Sequence, residues 1–480
     1  MVRLIFVFTL IVINCYAQSE REAIRFRDDI EAWLAKDPKT ALNAILPLAE
    51  SPEADVVTLF NTGYLYYDTG NFSKALTFLQ NALKKEESYP YTYLFLARIY
   101  QQSGNTLGAL IQLKRGLKYD PDNYDLLMEM GKAYRLLGEN ELAEQSFSQM
   151  MEKYPNKIAP RVALSELYRV QNRLDEAKKV LEDNNSLYPE STLLIAKSQV
   201  YRALGDHEKA ANYLIKLCQD YPNASWISAF RDTLQNVYNI SEVKQSIRYA
   251  PYKYSIKPNE SLDYSVKYGF ITLGWLKIRT KEALNLKGRT IYPIIFYIDS
   301  NPSFDFLISL HHVYESYIDA QTMNSIQTRL YTKDDNVYNT RTYYFDYDRS
   351  IFQAQIVYHD GRFDTVEKDL PLRAQDGTSM LYFARGIVSN KNGGSTTVVI
   401  DEEYKYGHIT YLNEIEEIDI GDKEVESIKI FARAEFEGIA GMNGDAWGWF
   451  SHDGNYVPLM GKIKIILGSI TLKVDDFNTD

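Results

Sequence analysis

The chain has 480 residues, a formal net charge of -11 and 13% aromatic residues, with 38 tyrosines among them. That length supports two sizeable cores, and the acidic balance argues against a nucleic-acid partner or a basic membrane-binding tail. Two cysteines are too few for a disulfide framework, so each domain has to stand on its own apolar core.

Met1, Val2 and Arg3 precede an apolar run over residues 4–13, and Cys15, Tyr16 and Ala17 come before Gln18. The run is too short to span a bilayer, and small residues sit three and one positions before Gln18. Residues 1–17 therefore read as a cleaved secretory signal, with Cys15 as a lipid acceptor the competing reading. The expected location is the periplasm or the outer membrane. No second long apolar stretch follows, so no transmembrane span is expected in the mature chain. Cys218, then the only thiol, lies beside Leu217 and reads as a small buried apolar residue.

A helical repeat comes next. Ala41, Ala75, Ala109, Ala143, Ala177 and Ala210 fall at steps of 34, 34, 34, 34 and 33 residues. In phase with them run Tyr66, Tyr100, Tyr134, Tyr168 and Tyr201, the turn residues Gly70, Gly104, Gly138, Asn172 and Gly205, and Pro121, Pro155, Pro189 and Pro222. Small residues at a fixed period of this length mark a stacked helix-turn-helix solenoid. The unit around Ala41 lacks the first-helix glycine and tyrosine and reads as a degenerate cap. Trp226, Ile227, Phe230, Leu234, Val237 and Tyr238 recur at helical spacing and suit a closing helix.

These residues resemble tetratricopeptide repeats, as in Leu96-Ala97-x-x-Tyr100 and Met130-Gly131-x-x-Tyr134 of first helices, and Ala143 with Phe147 and Ala177 with Leu181 of second helices. The resemblance is strong over residues 56–222. It implies a concave face lined by the first helices, into which the residue after the tyrosine and the residue three earlier look. Those positions hold Tyr64, Tyr67, Arg98, Gln101, Lys132, Arg135, Glu166, Arg169, Gln199 and Arg202. Arginine forks suit carboxylates and tyrosines supply stiff contact area, which favours an acidic peptide or an envelope protein as partner. The plainer reading pairs these cations with neighbours such as Glu129 and Glu166. The family's carboxylate clamp does not carry over, because Phe60, Tyr64 and Met128 stand where it needs lysine and asparagine.

The helical period ends near residue 247, and residues 248–260 read as a linker. From residue 261 the period is two: Leu262, Tyr264, Val266 and Tyr268 alternate with Asp263, Ser265 and Lys267. Asp360-Gly361, Gly393-Gly394, Gly421-Asp422 and Asp453-Gly454 mark tight turns. A sheet this large has to curl to manage its edges, so the predicted architecture is a helical solenoid followed by an antiparallel, open-barrel-like β domain over 261–480. One exception is residues 378–385, which read as a short helix after an Asp-Gly turn. This half is similar to a bacterial envelope domain of unknown function, numbered three thousand one hundred and eight in its series. The resemblance rests on Tyr264-x-Val266-x-Tyr268-Gly269, Gly274, Tyr382, Arg385, Trp449-Phe450-Ser451-x-Asp453, Pro458-Leu459 and Gly468-x-Ile470-x-Leu472. It implies an exported, mostly β domain and carries no activity with it.

Signals for chemistry are sparse. His311 and His312 are adjacent on a predicted strand and so face opposite ways, and no zinc-helix, paired-cysteine, nucleophile-elbow or phosphate-loop motif occurs. No catalytic residue, metal or cofactor is expected. Trp447 and Trp449 share a strand face and could contact a ligand, with Gly448 between them admitting a backbone; core packing is the plainer reading. The function expected is a non-enzymatic exported scaffold that binds a protein through the repeats. The alternatives are a carrier of a lipid or other apolar molecule in the β domain, and a glycan-processing or hydrolytic enzyme.

Overall fold

The computed structural model describes residues 38–182, 190–241, 243, 254, 256–286, 288–304, 309–334, 337–372, 374–421, 423–438, 442–465 and 468–478. The signal sequence, Cys15 and much of the 248–260 linker lie outside the described residues. The described chain packs as two compact units. One runs up to Glu182 and includes Gln355–Asp364; the other takes the rest.

The first unit carries helices α1 (Pro38–Ala49), α2 (Val56–Asp68), α3 (Phe72–Lys85), α4 (Pro90–Gln102), α5 (Thr106–Tyr119), α6 (Tyr124–Leu136), α7 (Asn140–Lys153), α8 (Ala159–Val170) and α9 (Leu174–Glu182). Ala75, Ala109, Ala143 and Ala177 are wholly buried on the second helix of each pair. A β-carbon at Gly63 would stand 2.7 Å from Leu79 Cγ, and one at Gly131 2.6 Å from Phe147 Cε1. The missing side chain thus admits the apolar residue four positions after the repeat alanine, which is why a small residue recurs there. Between the helices, Gly70, Gly104 and Gly138 have φ of 76°, 78° and 78°, and Asn172 has 59°, a conformation that favours glycine or asparagine. The amides of Asn71, Asn105, Glu139 and Arg173 then donate back to the carbonyls of Tyr66, Tyr100, Tyr134 and Tyr168 at 2.8, 2.8, 3.0 and 2.8 Å. That closure is the six-to-one bond of a Schellman cap, and Asn71 and Asn105 go on to cap the next helix at Lys74 N and Gly108 N. Successive first helices α2, α4, α6 and α8 touch one another, so they form the inner layer.

The second unit begins with the last repeat, α10 (Ser191–Ala203) and α11 (His207–Asp220), and the closing helix α12 (Ile227–Tyr238). Its strands are β1 (Ser261–Tyr268), β2 (Ile271–Thr280), β3 (Leu284–Leu286), β4 (Arg289–Ser300), β5 (Leu310–Asp319), β6 (Ser325–Asp334), β7 (Val337–Asp346), β8 (Ile351–Val357), β9 (Phe363–Asp369), β10 (Ala374–Gln375), β11 (Gly394–Ile400), β12 (Glu403–Ile420), β13 (Lys423–Gly438), β14 (Met442–Ser451), β15 (Pro458–Ile465) and β16 (Gly468–Asn478), with helix α13 (Ser379–Ser389) after β10. They form one sheet in the order β10-β11-β12-β13-β14-β15-β16-β1-β2-β4-β5-β6-β7-β8-β9, with β3 beside β4. The sheet is an antiparallel meander apart from the short parallel pair β10–β11, and it joins end to end through β16 and β1, where Ser261 faces Asn478.

Its two edges, β9 and β10, are consecutive in sequence. The residues between them, 370–373, span at most about 18 Å, so the sheet curls until its edges come near each other without a ladder joining them. The expectation of an open, barrel-like antiparallel domain holds in this form. Helix α13 fills the inside of the curl. Tyr382, Phe383, Arg385, Ile387 and Val388 are all buried, and a helix buried on every side belongs to a core. Phe383, Ile387 and Val388 pack with Ile409, Ile428, Ile430 and Phe450, while Tyr382 packs with Leu262, Tyr264, Ile278 and Ile294.

Candidate functional site

On the inner layer of the first unit, an aromatic wall is built by α2 and α4. The Tyr64 ring meets Phe95 edge-on at 4.9 Å, Tyr67 meets Phe95 at 5.3 Å, and Phe60 meets Phe95 at 5.8 Å. The wall is not bare. Residues 358–362, the turn between β8 and β9, and Phe363 at the start of β9 lie against it. Tyr64 stands edge-on to Phe363 at 5.2 Å, and Asn61 Nδ2 donates to the Gly361 carbonyl at 3.0 Å. The Arg362 guanidinium carbon is 3.8 Å from the Tyr91 ring centre and 3.6 Å from that of Tyr358. Burial, reinforced by the negative charge of Asp360, pushes the Tyr89 hydroxyl well above its ordinary range.

The turn is one the sequence dictates. Gly361 has φ of 83°, its amide donates to the Tyr358 carbonyl at 2.9 Å, and Tyr358 N closes the hairpin on the Arg362 carbonyl at 2.8 Å. Asp360 Oδ1 accepts from Arg362 N at 2.9 Å. A left-handed residue after a tight turn is a standard three-residue hairpin connection. The Asp-Gly signal locates it, and nothing in the local sequence says that it meets α2.

The expected row of cations divides. Arg169 donates twice to Glu166, Nε and Nη2 each at 2.7 Å, and this hydrogen bonding raises the arginine's pKa further. Lys132 Nζ reaches Glu129 Oε1 at 2.9 Å. Arg98, half-buried, sits 5.0 Å from the Phe95 ring centre, and Arg135 is exposed; neither has an ion-pair partner among the described residues. Gln101 is half-buried, and its side-chain nitrogen is buried without a partner among the described residues. Arg202, on α10, belongs to the second unit. One network has no counterpart in the sequence reading: Arg173 bridges Glu144 at 2.6 Å and Glu176 at 2.6 Å, and the hydrogen bond from Arg173 holds the Glu144 carboxyl below its usual range.

In the β domain, Trp449 is buried and donates Nε1 to Glu416 Oε2 at 2.7 Å, while Trp447 is half-buried against the same core cluster, 5.7 Å from Phe431. A β-carbon at Gly448 would meet the side chains of Phe450 at 3.0 Å and Ile430 at 3.2 Å; the glycine makes room for side chains here, where the sequence reading anticipates a backbone. Gly274 is the residue that admits a backbone, since its β-carbon would stand 2.2 Å from Asp299 O.

The motif residues singled out in this half converge on a buried latch. Arg385 and Glu260 are both wholly buried, with Nη1 to Oε2 at 2.5 Å and Nη2 to Oε1 at 2.8 Å. Nη2 also donates to the Asn455 carbonyl at 3.0 Å. Tyr264 donates to the Pro458 carbonyl at 2.7 Å, and Ser451 Oγ accepts from Val457 N at 2.8 Å. A second buried carboxylate, Asp376, pins the start of α13. Its Oδ1 accepts from Ser379 N at 2.6 Å and Thr378 N at 2.8 Å, and its Oδ2 accepts from Ser325 Oγ at 2.7 Å and from the Thr328 hydroxyl. Most polar atoms of these groups are paired with one another; Arg385 Nε has no partner among the described residues.

His311 is exposed beside Asp299 at 2.6 Å, and His312 is buried beside Asp334 at 2.7 Å, on opposite faces as their alternation dictates. Among the described residues, no three His, Cys, Asp or Glu side chains group as metal ligands would, and no helix is long and apolar enough to cross a membrane.

Comparison with known proteins separates the helical repeats from the sheet. Residues 66–130 match one tetratricopeptide repeat model, and residues 125–157 and 194–224 match another. Residues 263–475 match a protein of unknown function, DUF3108. The chain carries tetratricopeptide repeats and a DUF3108 domain. The Arg385–Glu260 latch and α13 therefore belong to the DUF3108 domain's interior, and the aromatic wall to the tetratricopeptide repeats. A stretch of 114 residues is 26% identical to the protein CTR9 homolog of Arabidopsis thaliana, covering 23% of this chain and only 10% of that relative's length. Among solved structures, the chain is similar to a tetratricopeptide repeat protein from Parabacteroides merdae, at 15% identity and a TM-score of 0.37 over 45% of this chain and 84% of that one. It is also similar to PilW, a widely conserved type IV pilus biogenesis factor, at 14% identity and a TM-score of 0.39 over 43% and 97%.

Proposed function

We propose that this protein is an exported, non-enzymatic scaffold whose tetratricopeptide repeats bind an acidic segment of an envelope protein. The observation that carries the reading is the pair Arg98 and Arg135. Both lie on first helices, both lack an ion-pair partner among the described residues, and Arg98 lies over the ring of Phe95. An arginine fork held beside aromatic surface is suited to a carboxylate that brings its own apolar neighbours. Arg169 and Lys132 are already engaged by carboxylates and contribute less. Export rests on the apolar segment before Gln18. The test is capture of envelope proteins from a native extract by wild type and by Arg98→Glu/Arg135→Glu. The double charge reversal is expected to reduce recovery of the partner at least ten-fold at low ionic strength, and equal recovery would remove the groove from the account.

A further inference from the structure

The segment 358–363 joins α2 and α4 in two ways: Phe363 enters their buried apolar cluster, while Gly361 and Arg362 are held by contacts of the kind a bound ligand makes. Asn61 is wholly buried, yet its amide nitrogen bonds a backbone carbonyl 300 residues away, and its Oδ1 has no partner among the described residues. A buried acceptor left unpaired is a cost to folding, so the amide is set against the turn for the carbonyl it reads. An amide that reads a backbone carbonyl is what a surface needs when its occupant changes.

Arg362 makes the same point by contrast. It is 7% exposed and held between two tyrosine rings, with no carboxylate bound to its guanidinium among the described residues. Arg385, the arginine that belongs to a core in this protein, is gripped by both oxygens of Glu260. Stacking between rings is favourable when desolvated, and it can be exchanged for an equivalent contact from another chain.

We propose that the face built by α2 and α4 is a recognition site for a turn presenting glycine, arginine and an aromatic residue in succession, and that residues 358–363 occupy it in cis. The glycine exposes the carbonyl that Asn61 reads, the arginine stacks on Tyr91, and the aromatic ring meets Tyr64. The tether gives the internal turn an effective concentration on the order of millimolar, so an external segment of the same chemistry gains access when that turn is released. The inference rests on the reading of the repeats as a partner-binding array and adds to the acidic segment assigned to Arg98 and Arg135 a second recognition element, read by Asn61, Tyr64 and Tyr91.

The test uses the full chain and a labelled, cyclised peptide of residues 357–364. Arg362→Ser/Phe363→Ser, which removes the anchors of the internal turn, is expected to bind the peptide at least ten-fold more tightly than wild type. Adding Asn61→Ala to that variant is expected to weaken binding at least ten-fold. Equal affinity of wild type and the double variant, or no binding to either, would overturn the proposal. If the double variant does not fold, Asn61→Ala alone decides by hydrogen exchange. The amides of Tyr358 and Gly361 should exchange at least ten-fold faster while those of β5 and β6 hold their rates, and an unchanged turn would overturn the proposal. Loss of partner capture in Arg98→Glu/Arg135→Glu, together with a peptide that never binds, would leave the scaffold reading in place and remove only this one.

Discussion

Arg385 and Glu260 set the energetic stakes for single side chains in the DUF3108 domain. Both are wholly buried and bonded to each other twice, so removing one leaves a desolvated charge alone, at a cost of about 3–5 kcal/mol. Arg385→Met is expected to show that loss in urea unfolding, and the pair Arg385→Met/Glu260→Leu to recover most of it. A double variant as unstable as the single would mean that the ion pair itself holds the domain. The same scale shows what can be read from residues alone. The repeat spacing puts Tyr64 and Tyr67 on one surface, and both rings do meet Phe95. No spacing announces Phe363, because a contact across 300 residues leaves no local period. Gly274 and Gly448 show a related limit: the sequence marks a glycine, while only the neighbours decide whether backbone or side chain fills its space.

At the level of elements, turn chemistry separates what was legible from what was not. The repeat turns announce themselves through glycine and asparagine at a fixed step. The turn from β11 to β12 uses Asp401 and Glu402, at φ of 47° and 61°, and without glycine it has no signature. Glu402 accepts from the Tyr343 hydroxyl at 2.8 Å, and burial raises its carboxyl pKa above the usual range. The folded state therefore holds that proton more tightly than the unfolded chain, and the stability it confers below the ordinary carboxylate range is lost as pH rises through the raised value. Glu402→Gln, which keeps an acceptor without the charge, is expected to raise Tm at pH 7 and to lose that advantage near pH 4. A difference that does not vary with pH would show that the charge is not the cause. Asp369 ties edge strand β9 to the last repeat of its unit, accepting from Ser191 Oγ at 2.6 Å and Trp226 Nε1 at 2.7 Å. Asp369→Ala is expected to destabilise the second unit by about 2 kcal/mol, read in the urea midpoint.

Across the whole molecule, the two compact units differ in how their order is stored. In the repeats each helix is secured by its nearest neighbours, so the period of the sequence is nearly the structure. In the β domain alternation identifies strands such as β1, but not that Ser261 lies opposite Asn478, nor that α13 fills the curl. Removal of residues 468–478 is expected to leave the α1–α9 helices intact by circular dichroism while the sheet becomes sensitive to protease. A protected sheet in the truncated chain would show that β1 does not need its partner.

The pairing of β1 with β16 also orders events in time. Strand β1 leaves the ribosome long before β16 exists, and until then its apolar residues have no second neighbour on that side. The repeats, built from local contacts, can fold during synthesis, whereas the sheet has to wait for its latest strand. That delay is an interval in which a long stretch of strand-forming sequence stays unfolded and open to chaperones.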